Sequence, residues 1–113
     1  MIYISTDQMN KFSDVSRKNF EKRLIDHLEK AYPEEIWNLS EHELIMQVQN
    51  LIDKAFAYGI VTEEDVATFI DISFELGEKI NTDEQFSWII EILSKEELDG
   101  QAKISMIEEI LFL

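Results

Sequence analysis

A helix stop followed three residues later by a helix start is the feature that most constrains the fold of this 113-residue chain. Gly59 ends an apolar-periodic segment, and glycine is the usual residue just past a helix C-terminus. Thr62, with Asp65 three residues later, forms a capping pattern that opens a new helix. The stop, the start, the apolar helix that follows and the aromatic residues Phe86 and Trp88 lie within about thirty residues. This stretch therefore predicts a patterned helical unit rather than generic helical sequence.

The helix that begins after Thr62 is predicted to be central, because apolar residues cover most of its circumference. These apolar residues are Val66, Phe69, Ile70, Ile72, Phe74 and Leu76. At about 100° per residue, one narrow polar strip remains on this helix. The polar strip consists of Glu64, Thr68, Asp71 and Glu75. Since the other faces are apolar, the polar strip must be the side that meets water or a partner.

Two amphipathic helices are predicted before this unit. The apolar positions of the first are Phe12, Val15, Phe20, Leu24, Ile25 and Leu28. This helix has a candidate cap at Thr6 and is limited by Pro33, since proline cannot continue a helix. The second begins at Ser40, which forms a capping-box pattern with Glu43, and it continues to Gly59.

Two shorter helices are predicted after the unit. Thr82 is expected to cap the first, which contains the apolar residues of 86–93. Ser94, with Glu97 three residues later, is expected to start the second, which Gly100 weakens. Connections of this length suit a compact bundle. The predicted fold is all-α, a single compact bundle of about five helices, with residues 1–113 forming one helical domain.

The composition indicates a folded chain. Apolar residues make up 45% of the sequence and aromatic residues 11%, well above the content of a disordered acidic tail. The absence of cysteine excludes disulfides and thiolate chemistry. The first residues lack the basic region and apolar run of a secretory leader, so a cytoplasmic location is expected. No apolar run approaches the roughly 20 residues that span a bilayer.

The negative charge is distributed unevenly. Residues 1–30 hold six basic and five acidic residues, a balance of +1, whereas residues 31–113 hold four basic and nineteen acidic residues, a balance of −15. Such a surface repels nucleic-acid phosphates and anionic lipids, and it steers basic proteins toward it. We therefore expect a protein partner and no binding to nucleic acid or membrane, although acidity also serves simple solubility.

The sequence offers no convincing catalytic or metal-binding constellation. The segment 42–46 begins like a zinc-protease helix, but Met46 stands where the second histidine ligand must be. Neither His27 nor His42 has an accompanying nucleophile. Asp71 and Glu75, one turn apart, could chelate a cation, but such pairs usually form a solvated face. The chain is predicted to be non-enzymatic, with no catalytic residue, metal or cofactor.

Two tryptophans are the remaining candidates for recognition, since tryptophan is enriched at protein interfaces. Trp88 is assigned to the core beside Phe86. Trp37 lies in a short connection after Pro33, where it either packs in the core or forms an exposed aromatic knob with Tyr32.

The patterned unit resembles small helical proteins encoded beside spike, tip and lysozyme-like effector genes of bacterial type VI secretion systems. The residues that carry this resemblance are Tyr58-Gly59-Ile60, Glu63/Glu64-Asp65-Val66, Phe69-Ile70-Asp71-Ile72, Phe74-Glu75-Leu76-Gly77 and Trp88 before Ile92-Leu93, preceded by Phe20, Lys22-Arg23, His27-Leu28 and Tyr32-Pro33. The resemblance covers about two thirds of the chain, and its motifs are structural rather than catalytic. The chain departs from those relatives in its greater acidity and in 77–80, where they often continue Gly-x-x-Phe-Asp.

The resemblance implies an accessory role, as an adaptor or chaperone that binds a secreted effector or a spike component. The alternatives are an immunity protein that neutralises a toxic effector, and an acidic DNA mimic that occupies a nucleic-acid-binding protein. The residues predicted to bind the partner are Glu64, Asp71, Glu75, Trp37 and Tyr32. The apolar C-terminal residues 110–113 also leave a homodimer open.

Overall fold

The computed structural model describes residues 14–112, with side chains described from Ser16 onward. Seven α-helices form within this range, and the range contains no strand. The helices are α1 (Asp14–Ala31), α2 (Pro33–Ile36), α3 (Glu41–Ala57), α4 (Glu63–Leu76), α5 (Lys79–Thr82), α6 (Ser87–Leu93) and α7 (Gly100–Leu111). A 3-10 turn, Glu84–Phe86, connects α5 to α6. The all-α prediction is confirmed, but the helix count of about five omitted the single-turn helices α2 and α5.

The helix ends around α3 and α4 follow from local side-chain chemistry. Ser40 accepts a hydrogen bond from the Glu43 backbone N–H at 3.0 Å, and the Glu43 carboxylate accepts from the Ser40 N–H at 2.9 Å, which completes the capping box. Thr62 accepts from the Asp65 N–H at 3.2 Å and caps α4. Gly59 adopts φ 81°, a conformation open mainly to glycine, just after α3. These predictions are confirmed.

The predicted start of the helix at Thr82 is wrong. Thr82 is the last residue of α5, and its hydroxyl donates to the Glu78 carbonyl one turn earlier, at 3.1 Å. Asp83 caps the next segment instead, accepting from the Gln85 N–H at 3.0 Å. The segment begins as a 3-10 turn, and α6 starts only at Ser87.

The predicted start of the last helix at Ser94 is also wrong. Ser94 ends α6, and α7 begins at Gly100 after Asp99, whose carboxylate accepts from the Ala102 N–H at 2.8 Å. Gly100 does not weaken this helix from within, because it is the first helical residue. A Cβ at Gly100 would clash with the backbone of Gly59 and Ile60, so a glycine is needed for this close approach.

A buried lysine strengthens the same junction between α7 and the α3–α4 turn. The Lys103 side chain is 5% exposed, and its Nζ donates to the Tyr58 carbonyl oxygen at 2.7 Å. That carbonyl lies at the C-terminus of α3, where backbone oxygens lack partners within the helix. Lys103 therefore ties the start of α7 to the end of α3.

Helix α4 has the central position predicted for it, since it contacts α1, α3, α5 and α7. Its apolar face joins one hydrophobic cluster built from all the longer helices. The buried residues that α4 contributes are Val66, Phe69, Ile70, Ile72 and Phe74. The polar strip is left on the outer side of the helix. The candidate cap Thr6 and the apolar positions Phe12 and Val15 lie outside the described side chains.

Within the described range, each helix is too short or too polar to cross a lipid bilayer.

Candidate functional site

The polar strip of α4 lies at the surface. Glu64 and Glu75 are exposed, and Thr68 and Asp71 are partly exposed. The Thr68 hydroxyl donates to the Glu64 carbonyl oxygen at 3.1 Å, so the helix itself satisfies this hydroxyl. Neither Glu64 nor Glu75 forms an ion pair within the described range, where the ion pairs are those of Arg17, Arg23 and His27. Both carboxylates are therefore free of a basic side chain in that range.

Two polar side chains of α1 contact the acidic face of α4. The Arg23 guanidinium donates to both carboxylate oxygens of Glu63, at 3.0 and 3.1 Å. One turn further along α1, His27 Nε2 lies 2.7 Å from Asp71 Oδ1. The carboxylate of Asp71, predicted from sequence to meet a partner, is thus already engaged within the fold. An external partner that binds the Asp71 carboxylate therefore shares it with His27.

Tyr32 is positioned over the C-terminal half of α4 and is partly buried. Its ring packs against Phe74, with 6.0 Å between the ring centroids, and its hydroxyl donates to the Asp71 carbonyl oxygen at 3.3 Å. Burial raises the pKa of Tyr32 to about 12, with further contributions from the charges of Asp71, Glu75 and Glu35 and from a hydrogen bond to Glu75. Each of these disfavours the phenolate, so the hydroxyl stays protonated and can donate to the Asp71 carbonyl oxygen.

Trp37 is exposed, whereas Tyr32 is partly buried. It follows α2, and 79% of its surface is accessible to solvent. The aromatic knob predicted for Tyr32 and Trp37 therefore reduces to Trp37 alone. Trp88 is partly buried against the core, and its indole N–H donates to the Gln85 carbonyl oxygen at 2.9 Å. A lone exposed tryptophan is costly in water and is a frequent anchor at protein interfaces.

A groove of about 520 Å³ lies between the polar strip and the end of α7. We refer to it as the α4/α7 groove. Its apolar lining consists of Ile72, Leu76, Phe86, Leu111 and Phe112. Its polar lining consists of Tyr32, Thr68, Asp71, Glu75 and Glu108. The structure thus brings together Tyr32, Asp71 and Glu75 of the predicted site, while Glu64 and Trp37 do not line the groove.

Two residues at the C-terminal end of α7 line the groove but were not among the residues predicted to bind a partner. Glu108 adds a third carboxylate to the groove, and Phe112, 70% exposed, forms part of its apolar lining. The apolar C-terminal patch was visible in the sequence, but its position beside α4 depends on how α7 docks. The sequence pattern of α7 alone does not predict that this helix packs beside α4.

The described residues contain no group of three or more histidine, cysteine, aspartate or glutamate side chains arranged to hold a metal ion. The His42 position, considered above for zinc, lies exposed in the first turn of α3. The chemistry that the surface offers is therefore that of carboxylates, a phenol hydroxyl and exposed apolar side chains. Such groups recognise cations and apolar side chains of a partner.

Comparisons with protein-family models, with curated proteins and with solved structures found no match for this chain. The resemblance to accessory proteins of type VI secretion therefore stays a prediction from the motifs quoted above.

Proposed function

We propose that this protein is a non-enzymatic, protein-binding accessory factor that recognises its partner through the acidic surface around α4. The polar strip and the exposed Trp37 form the contact region in this proposal. The observation that carries it is that Glu64 and Glu75, on the central helix, face solvent without an ion-pair partner in the described range. Unpaired carboxylates on a rigid helix attract a basic surface and raise the rate of association.

The proposed partner is a type VI secretion effector or a component of its spike, which the protein would bind in the cytoplasm as an adaptor or chaperone. This part of the proposal is supported by the resemblance of the first helix and of the unit from Tyr58 to Gly77. An immunity protein that neutralises the effector would use the same surface. The DNA-mimic alternative is supported only by the net charge of −14.

Affinity purification of the tagged protein from its native cells, followed by binding measurements with the purified partner, tests this proposal. The key variant is Glu64→Lys/Glu75→Lys, which reverses the two unpaired carboxylates but spares the His27–Asp71 pair. We expect it to weaken binding about tenfold and to flatten the dependence of affinity on salt.

The matched control is Glu96→Lys/Glu97→Lys, which makes the same change of net charge in the exposed connection between α6 and α7. It should bind the partner nearly as the parent protein does. Equal losses in the two variants would mean that only net charge matters and would remove the polar strip from the proposal. If the purification recovers a nucleic-acid-binding protein, and duplex DNA displaces this chain from it, the protein is a DNA mimic and not an accessory factor.

A further inference from the structure

The α4/α7 groove combines an apolar floor with a rim of one charge sign. Its volume of about 520 Å³ is in the range of grooves that accept anchoring side chains. Phe112, at its edge, is 70% exposed. Exposed apolar surface rimmed by polar groups is typical of interaction sites. The groove therefore favours an occupant that brings apolar side chains.

The rim specifies the charge of that occupant. Asp71 and Glu75 contribute carboxylates from α4, and Glu108 contributes one from α7, whereas none of the lining residues is basic. Among the described residues, the one basic side chain within hydrogen-bond distance of a rim carboxylate is His27, which contacts Asp71. An acidic occupant would be repelled, so the complementary occupant carries lysine or arginine beside its apolar anchors.

The geometry of the groove favours a helical occupant. Asp71 and Glu75 are one helical turn apart, a spacing of about 6 Å along α4. A helix lying in the groove repeats its own side chains at that interval, so apolar residues at i and i+4 can reach the floor together. The described range has no strand whose edge could accept an extended segment.

We propose that the α4/α7 groove binds an amphipathic helix of the partner protein whose apolar face is flanked by lysine or arginine. Apolar side chains of this helix contact Leu76, Leu111 and Phe112, and its basic side chains meet Glu75 and Glu108. This inference rests on the proposed protein-binding function and specifies the chemistry of the partner.

A second copy of this chain does not fit the groove as well. Each copy carries a net charge of −14, and pairing two groove faces would bring the rim carboxylates of both copies together. Like charges placed opposite one another oppose association. The C-terminal homodimer suggested by the sequence is thus disfavoured at this face.

The test uses the full chain and a fluorescent synthetic peptide of about 18 residues, long enough to be helical. The peptide carries leucine at i and i+4 positions on one face and lysine on either side of that face. Titration by fluorescence anisotropy should show saturable binding. Replacing the peptide leucines with alanine, or its lysines with glutamate, should each weaken binding about tenfold or more.

Matched variants of the protein locate the site. Glu108→Lys/Phe112→Ser alters the groove, whereas Glu109→Lys/Ile110→Ser makes the same charge change and removes a comparable exposed apolar side chain next to it. All four positions are exposed, so both variants should fold, which circular dichroism checks. We expect the first variant to lose about tenfold in affinity for the peptide and the second to bind like the parent.

Equal affinity of the two variants for the peptide would overturn the groove as the site. Binding that survives removal of the peptide leucines would overturn it as well, because contact would then be purely electrostatic.

The proposed function and the groove inference are contradicted by different results. If Glu64→Lys/Glu75→Lys abolishes binding of the native partner but Glu108→Lys/Phe112→Ser does not, the accessory function stands and the groove inference falls. If neither pair affects that partner, the acidic surface falls too.

Discussion

Gly100 lies where the first turn of α7 meets the α3–α4 turn, and its lack of a side chain allows that contact. A Cβ at this position would lie 2.7 Å from Ile60 Cα and nearer still to the Gly59 carbonyl oxygen. Both obstacles are backbone atoms, so they cannot turn aside as a side chain would. Alanine has the higher helix propensity, yet the clash outweighs that gain of about 1 kcal/mol.

Gly100→Ala is therefore expected to lower the free energy of unfolding by about 1–3 kcal/mol, because the α3–α4 turn must move away from α7. Urea denaturation followed by circular dichroism measures this change. The control is Ser105→Ala, at an exposed position of the same helix. It should raise the free energy of unfolding by about 0.5 kcal/mol, because alanine has the higher helix propensity. A Gly100→Ala protein as stable as the parent would contradict the close approach.

Tyr32 provides a pH-dependent prediction. Its pKa of about 12 in the folded protein exceeds the value of 10.0 for an unperturbed tyrosine. The stabilisation linked to Tyr32 is therefore fully present below pH 10 and is lost as the pH rises from about 10 to 12, where the unfolded chain ionises first. The difference between the ultraviolet titrations of the parent and Tyr32→Phe isolates this group from the other tyrosines.

The carboxylates around Tyr32 should move its pKa measurably. Glu75→Gln removes one negative charge and is expected to lower the pKa of Tyr32, though not to the ordinary value, because burial is the largest cause of the shift. Glu64→Gln, on the same strip but not among those causes, should leave the pKa unchanged. A Tyr32 that titrates near pH 10 in the folded protein would show that it does not pack beneath the strip.

At the scale of the helices, Arg17 joins α1 to α3. Its Nε bonds to Glu21 at 3.1 Å, and its Nη2 bonds to Asp53 at 2.9 Å and to the Gln49 carbonyl oxygen at 3.3 Å. The guanidinium also lies 5.9 Å from the centre of the Phe56 ring. A lysine keeps the charge but lacks the planar fork that serves several acceptors at once.

We expect Arg17→Lys to lower the free energy of unfolding by about 1 kcal/mol. Arg23→Lys, on the same helix, should cost less than about 0.5 kcal/mol, because the side chains of Arg23 and Glu63 are 62% and 40% exposed. Chemical denaturation of both variants gives the comparison. A larger loss for Arg23→Lys would mean that α1 is held mainly through α4 rather than α3.

The predictability of each helix depended on whether its ends are determined locally. Ser40 with Glu43 and Thr62 with Asp65 bond within three residues, so their patterns located the starts of α3 and α4 correctly. Thr82 and Ser94 have the same residue types, but Asp83 and Asp99 take the capping roles instead. Asp99 bonds to Ala102 within three residues, so the start of α7 is also local, although Ser94 with Glu97 offered a competing pattern. The contact of Gly100 with a turn some forty residues earlier is what no local pattern reports.

At the scale of the whole molecule, the same distinction separates the parts of the candidate site. The polar strip follows from helical periodicity, so its four residues were predictable. The α4/α7 groove requires α7 to dock beside α4, and that docking brings Glu108 and Phe112 to Glu75. Likewise, the approach of His27 to Asp71 depends on the packing of α1, so the contact between this histidine and the strip was not predictable.

The net charge of −14 makes salt an expected stabiliser of this fold. Acidic residues outnumber basic ones by 24 to 10, so unfolding relieves repulsion between like charges. Salt also screens the favourable ion pairs, but the Arg23–Glu63 pair is substantially exposed and contributes little. The Arg17–Glu21 pair is partly buried, so salt screens it less. The screening of repulsion between carboxylates should therefore exceed the loss from screened ion pairs. The Debye length falls from about 30 Å at 0.01 M salt to about 4 Å at 0.5 M salt.

Raising sodium chloride across that range is expected to raise the Tm by about 5 °C, equivalent to about 1 kcal/mol. Differential scanning calorimetry measures the Tm. The Glu64→Lys/Glu75→Lys protein carries a net charge of −10, since each substitution adds two positive charges, and its Tm should depend less steeply on salt. A Tm that falls with salt in the parent would mean that ion pairs between helices outweigh the repulsion. The unpaired carboxylates of the polar strip would then contribute little to the field that attracts a basic partner.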